Sequence, residues 1–375
     1  MLIPFNRPCF EGRELDYIAE ALRNGHISGD GSFTKRCHSF FERELGVSKA
    51  LLTSSCTHAL EMAAILLDIE QGDEVILPSF TFVSTANAFV LRGAKPVFVD
   101  CRPDTLNMDE ALLPALITDR TKAIIPVHYA GVGCEMDVII ALANERGLVV
   151  VEDNAHGLFG SYKERHLGTF GALATLSFHE TKNFTCGEGG ALLVNDPVYA
   201  QRAEIIREKG TNRSRFFRGE VDKYTWVDVG SSYLPSDVTA AFLYAQLEFR
   251  DRIQAARKRI WDRYNVSLAD WASRIGARLP NVPAHCDQAY HMFYLLLPSE
   301  AVRRALIAHL KERDILSVFH YLPLHLSDMG RHYGGQPGDC PVTEDISERL
   351  LRLPFYNALS LSDQDHVIES ILEFS

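Results

Sequence analysis

The strongest constraint on what this chain can fold into is an alternation running from residue 47 to residue 195. Short apolar runs (VSKALLT, DEVILPS, KPVFVD, KAIIPVHY, GLVVVED) are separated by stretches such as HALEMAAILLDI and MDVIIALANERG, whose apolar residues recur at three and four. The short runs, bounded by turn residues, read as buried strands, and the longer stretches as helices laid over them. Repeated βα units of this kind feed a mostly parallel sheet, so the predicted class is α/β. In such sheets ligands collect beyond the carboxyl ends of the strands. The polar turns that follow the apolar runs are therefore where chemistry is expected.

The alternation stops well before the chain does. It gives way to the long amphipathic stretch DVTAAFLYAQLEFRDRIQAARKRIWDRYNVSLADWA, inside which the domain boundary is placed: a large α/β domain over 1–250 and a small α+β domain over 251–375. In the second, candidate strands HMFYLLLP and SVFHYL flank a helix at AVRRALIAHLKERD. A chain of 375 residues is long enough to bury two cores, and 46% hydrophobic with 23% charged residues is ordinary globular composition. The net charge of −11 and the absence of a basic run interleaved with aromatics argue against nucleic acid as a partner. The eight cysteines are scattered without zinc-ligand spacing, so reduced thiols and no metal site are expected. No apolar stretch approaches the length of a membrane span, and the first residues lack the pattern of a secretory signal, which makes the cytoplasm the expected location.

Four turns carry residues suited to chemistry. SFHETKNFTCGEGG, residues 177–190, sets Lys182 among hydroxyls and amides just ahead of three glycines. A lysine in a partly buried polar turn loses hydration, so its neutral amine becomes available to form an imine with a carbonyl. GLVVVEDNAH ends a buried strand in Glu152 and Asp153, with His156 three residues on. A carboxylate there is placed to pair with a protonated pyridine nitrogen, as pyridoxal 5′-phosphate (PLP) requires, and His156 to meet the phenolic oxygen of the same ring. LLTSSCTHALEMAAILL passes from strand to helix through Ser55, Cys56 and Thr57, where free N–H groups and hydroxyls make a phosphate seat to which Ser177 can add a hydroxyl. LPSFTFVSTANA offers Phe80 or Phe82 to lie against a ring. Each has a plainer reading as well: a solvated lysine, a turn carboxylate, a simple N-cap, a core aromatic.

The segments IPFNRP, SGDGSFTKRCHSFFERELG, GDEVILPSFTFVSTANA, TKAIIPVHYAG, VVEDNAHGLFGSYK, SFHETKNFTCGEGG and VFHYLPLH occur in that order. Through them almost the whole chain resembles the DegT/DnrJ/EryC1/StrS sugar aminotransferases, PLP enzymes of fold type I. The resemblance implies Lys182 as the covalent anchor, Asp153 as the pyridinium partner, His156 at the ring oxygen, Phe82 as the stacking aromatic, and Ser55, Cys56 and Ser177 at the cofactor phosphate. Within the group, REKGTNRSRFFRGEVDKYTWVDVGSSYLPSD is similar to the dTDP-4-amino-4,6-dideoxygalactose transaminases. That implies L-glutamate as donor and dTDP-4-keto-6-deoxyglucose as acceptor, and the family resemblance implies a homodimer in which the segment around Asn212 to Tyr233 of one subunit covers the cofactor of the other. Arg213, Lys223, Tyr224 and His325 are then the implied substrate contacts, with Arg215 and Arg218 as further diphosphate partners. The chain departs from the family where Ser232 stands for an asparagine that reaches the partner's cofactor phosphate, and Leu234 for an arginine.

Other readings are an aminotransferase for another nucleotide-linked keto sugar, a PLP-dependent sugar dehydratase, and a non-catalytic PLP or sugar-nucleotide sensor. Dehydratases of the group carry histidine at the lysine position, so Lys182 argues against that activity, and the joint presence of lysine, aspartate, phosphate seat and aromatic argues against a sensor. A nicotinamide dehydrogenase lacks support because no G-x-G-x-x-G follows the first strand.

Overall fold

The computed structural model describes residues 2–374. All five expected strands form: β1 (Lys49–Thr53), β2 (Glu74–Pro78), β3 (Lys95–Val99), β4 (Thr121–Ile124) and β5 (Val149–Asp153). A short hairpin, β6 (Ser161–Tyr162) and β7 (Arg165–His166), precedes the two strands that complete the sheet, β8 (Leu173–Ser177) and β9 (Gly190–Val194). The large sheet has the order β1-β9-β8-β5-β4-β2-β3, and only β9 runs against its neighbours. The carboxyl ends of the other strands therefore share one edge.

The alternation of side chains along each strand feeds a core on either face. Leu51 points into a cluster closed by α3 (Cys56–Leu66) and α4 (Val83–Val90), whereas Ala50 and Leu52 point the other way, beneath α1 (Glu14–Arg23) and α2 (Ser32–Leu45). Further along, α5 (Leu113–Leu116) and α6 (Met136–Arg146) flank the β3–β5 half, and α7 (Ala200–Arg207) leads to the short α8 (Arg213–Phe217). The long amphipathic stretch is two helices, α9 (Asp237–Glu248) and α10 (Arg250–Ile275), broken at Phe249 where φ −101° and ψ 19° leave the helical range. We place the junction of the two domains at that break.

Beyond it, β10 (Cys286–Asp287) extends the hairpin, and β11 (Tyr294–Leu296) pairs antiparallel with β12 (Leu350–Arg352). Between and after them run α11 (Glu300–Lys311), α12 (Asp328–His332), α13 (Pro341–Arg349) and α14 (Leu361–Leu372). A separate core forms around Tyr264, Trp271 and Phe293, and Ile3 joins it, so the first described residues pack on the C-terminal body. The expected strand SVFHYL does not form. Only Val318 pairs, with Arg352, and the chain then turns to send His320 and Tyr321 into a cleft. Strand propensity reflects fit to a half-buried surface, and here that surface is a cleft wall. Among the described residues no helix is long and apolar enough to cross a membrane, no group of metal-ligand side chains forms, and the cysteines are unpaired.

Candidate active site

A cleft of about 680 Å³ opens beyond the carboxyl ends of β1, β2, β5 and β8 and is closed on the far side by His320, Tyr321 and Arg352 of the C-terminal body. Ser55, Cys56, Thr57, Phe82, Asp153, His156, Ser177 and Lys182 all line it. Residues 127 positions apart in the chain thus meet because successive strands end at one edge of the sheet.

Consecutive strand residues face opposite ways, which separates Glu152 from Asp153. Glu152 turns into the protein and accepts from the N–H groups of Gly168 (2.8 Å), Phe170 (2.6 Å) and Gly171 (2.7 Å). Asp153 turns to the cleft, where Thr85 Oγ1 donates to its Oδ2 (2.7 Å) and the Ala155 N–H to its Oδ1 (3.2 Å). Burial raises the Asp153 pKa, and those two donors with the nearby Lys182 pull it back. A buried carboxylate held this way is suited to a cation arriving from the cleft. His156 stacks on His291 with ring centroids 4.2 Å apart, and its Nδ1 is buried without a hydrogen-bond partner. Burial, with the positive charges of Lys182 and Arg352, holds its imidazole neutral, well below the ordinary histidine range.

Lys182 sits on the connection between β8 and β9. That connection is pinned at its base, where the Phe178 N–H donates to Gly189 O (2.8 Å) and the Cys186 N–H to Phe178 O (3.0 Å). Asn183 Nδ2 ties it to Ala289 O of the C-terminal body (2.6 Å). As a residue Lys182 is half-buried, opening to the cleft, but its ammonium is enclosed by protein. Burial lowers its pKa to about 8 against the opposing influence of Cys56 and Asp153.

At the other end of the cleft floor, Ser55 caps α3: its Oγ accepts from the His58 N–H (3.1 Å), which leaves the hydroxyl proton to donate outward. The first N–H groups of the helix, at Cys56 and Thr57, have no acceptor inside it. Thr57 Oγ1 lies 2.8 Å from Ser84 Oγ. The Cys56 thiol is turned to Thr175 Oγ1 (3.5 Å) and kept protonated by burial, with a pKa near 12, so its contribution to the cleft is the backbone N–H. The turn fits only because β9 begins with glycine: a Cβ on Gly190 would lie 2.4 Å from Cys56 N and from Ser55 C. Free donors here, a cleft-facing carboxylate and an orphaned imidazole nitrogen suit a phosphorylated pyridine. Phe82 is exposed in the cleft, whereas Phe80 is buried against Tyr129 with ring centroids 5.0 Å apart.

The remaining expected site residues lie elsewhere. His325 is fully buried, with Nδ1 2.6 Å from Ser79 Oγ and Nε2 3.0 Å from Glu344 Oε1, so both ring nitrogens are taken and no substrate reaches it. Ser232, Lys223 and Tyr224 are exposed and outside this chain's cleft. Arg213 pairs with Glu208, Arg215 with Glu220 (3.3 Å) and Arg218 with Glu204 (2.9 Å), so these side chains face carboxylates of their own chain. In turn the sequence reading missed Thr85, His320, Tyr321 and Arg352. Thr85 was within reach, one helical turn after Phe82 in a segment already singled out. Arg352 lies in an unremarkable run far down the chain.

The model of the DegT/DnrJ/EryC1/StrS aminotransferase family matches residues 8–372. The spore coat polysaccharide biosynthesis protein SpsC of Bacillus subtilis is 33% identical over 377 residues, covering 98% of this chain and 96% of SpsC. Among solved structures, the aminotransferase TlmJ of Streptoalloteichus hindustanus is similar at TM-score 0.90 and 32% identity, covering 99% of this chain and 98% of TlmJ. Spr1654 of Streptococcus pneumoniae, a candidate sugar aminotransferase solved in a PLP form, is similar at TM-score 0.91 and 28% identity, with coverage of 99% and 98%.

Proposed function

The chain belongs to the DegT/DnrJ/EryC1/StrS aminotransferase family and uses PLP, and from that premise we propose that it transfers the amino group of L-glutamate to C4 of dTDP-4-keto-6-deoxy-D-glucose, giving dTDP-4-amino-4,6-dideoxy-D-galactose. The observation that carries the amino-transfer reading is the meeting of Lys182, Asp153 and the unpartnered His156 Nδ1 in one cleft. The choice of sugar nucleotide rests on the resemblance over residues 207–237. A relative named for polysaccharide biosynthesis is in keeping with an aminosugar product.

When bound, PLP supplies an electron sink for the charge left as an α-proton departs. Lys182 would hold the cofactor covalently and, once displaced by the donor amine, take that proton and later return one to the sugar carbon; its lowered pKa suits both directions. Asp153, steadied by Thr85, would pair with the ring nitrogen. His156 would hydrogen-bond the ring oxygen, Phe82 would cover a ring face, and the start of α3 with Ser55, Thr57 and Ser177 would hold the phosphate. Binding the nucleotide away from the reacting carbon orients the sugar over Lys182.

The test is turnover of a panel of keto sugar nucleotides with glutamate, followed by NMR of the product ring. The expected product carries an axial amine at C4. An equatorial amine overturns the stereochemistry, amination of only a 3-keto isomer overturns the substrate, and no turnover of any keto sugar restores the sensor reading.

A further inference from the structure

Arg352, at the end of β12, lines the same cleft as Lys182. Its guanidinium lies over the Phe5 ring at 4.4 Å, and its Nε is buried without a hydrogen-bond partner. Two arginines of the chain that are buried outright show what a structural role looks like. Arg207 Nε donates to Leu52 O (2.7 Å) while another of its nitrogens reaches Asp30 (2.6 Å). Arg257 donates to Tyr290 O (2.8 Å), His291 O (2.6 Å) and Asn357 Oδ1 (2.7 Å). Arg352 has no such set among the described residues.

The carboxylates that line the cleft do not serve it. Asp153 is engaged by Thr85 and Ala155, and Glu188 lies 3.6 Å from His179 Nε2 at an exposed position. The groups that face it are the Tyr129 and Tyr321 hydroxyls and the imidazoles of His156, His291 and His320, all held neutral by burial, together with Lys182, whose pKa burial and the charge of Arg352 lower. A half-buried guanidinium with an enclosed, unpartnered Nε and no counter-ion is costly to the folded chain, and an anionic ligand lowers the cost.

We propose that Arg352 anchors a carboxylate of the amino-acid donor. An imine-forming lysine and an unpaired guanidinium on one cleft select a molecule that brings an amine to the first and a carboxylate to the second, as an α-amino acid does. The planar fork of arginine suits two carboxylate oxygens at once. The cofactor phosphate has its own seat at the start of α3, and the diphosphate of a sugar nucleotide lies several bonds from the reacting carbon. This inference rests on the amino-transfer reading above and adds the donor's binding group to it.

The test separates the two half-reactions in Arg352→Gln and Arg352→Lys holoenzymes. L-Glutamate is titrated into the PLP form and followed by cofactor absorbance, and the pyridoxamine form is reacted separately with the keto sugar nucleotide. In Arg352→Gln the apparent Kd for glutamate is expected to rise about 100-fold, the size of a lost charged hydrogen-bond pair, with PLP affinity and the sugar half-reaction unchanged. Arg352→Lys keeps the charge without the fork and is expected to show about a tenfold rise with the same pattern, which decides the matter should Arg352→Gln not fold. Wild-type glutamate affinity, or a fall in PLP affinity or in the sugar half-reaction as large as that for glutamate, overturns the assignment. A wild-type enzyme that fails in both half-reactions would instead sink the amino-transfer reading.

Discussion

Adjacent carboxylates at the end of β5 have opposite fates: Glu152 clamps a turn inside the protein, and Asp153 faces the cleft. Their identity and their place at a strand end are plain in the sequence, but which one faces outward depends on the register of β5 against β4 and β8. Lys182 repeats the point, since its chemical type is legible and its pKa is a product of enclosure. Burial brings that pKa from 10.5 to about 8, so at pH 7 the neutral amine is about 300-fold more abundant than in an ordinary lysine. A depressed lysine pKa means the reactive form gains as pH rises through 8 and is complete above it. Covalent capture of PLP by apoenzyme is therefore expected to accelerate with pH, with a midpoint near 8. Borohydride should then leave a pyridoxyl label on Lys182, and Lys182→Ala should take none. A midpoint near 10.5, or a label on another lysine, would contradict the assignment.

At the scale of elements, the phosphate seat belongs jointly to the β1–α3 turn and the first residue of β9. Thr53 and Gly190 are paired in register, and the backbone of Ser55 and Cys56 passes where a Cβ of residue 190 would stand. Backbone cannot swing aside as a side chain can, so Gly190→Ala is expected to cost about 1–3 kcal/mol of stability and to weaken PLP binding. Thermal melts of the apo form and a fluorescence titration with PLP measure the two effects. Lowered stability with unchanged cofactor affinity would mean that the turn is not the seat. The failed strand SVFHYL belongs at this scale too. Its aromatic and β-branched content reads as a strand, but β12 occupies the edge of β11, and the segment is left to line the cleft with His320 and Tyr321.

For the whole molecule, the segment 212–233 lies outside its own chain's cleft and yet exposes large apolar groups: Phe217 is 71% and Trp226 76% exposed. We propose that a second copy covers this surface in a homodimer and that Arg213, Lys223, Tyr224 and Ser232 complete the partner's site. Exposed aromatics favour such burial, and Arg213, whose side chain is half-exposed beside the buried Glu208, presents its guanidinium at that surface. Two inactive variants should then complement each other: dimers mixed from Lys182→Ala subunits and subunits altered at Arg213 and Ser232 should regain activity through one intact composite site. Absence of recovery in verified mixed dimers would count against sharing.

Much of this architecture is written locally. The period of the apolar runs determined the βα units and the parallel sheet, because strands covered on both faces are built mainly of apolar residues, and the turns after them determined that Lys182, Asp153, His156 and the start of α3 would meet at one edge. What tertiary structure decided is everything that depends on two distant segments arriving together. The C-terminal body closes the cleft, removes His325 into a hydrogen-bonded interior, and leaves Arg352 Nε without a hydrogen-bond partner in the cleft that Lys182 also lines. Burial and pairing of a side chain are set by what packs against it, and no local run of residues states what that will be.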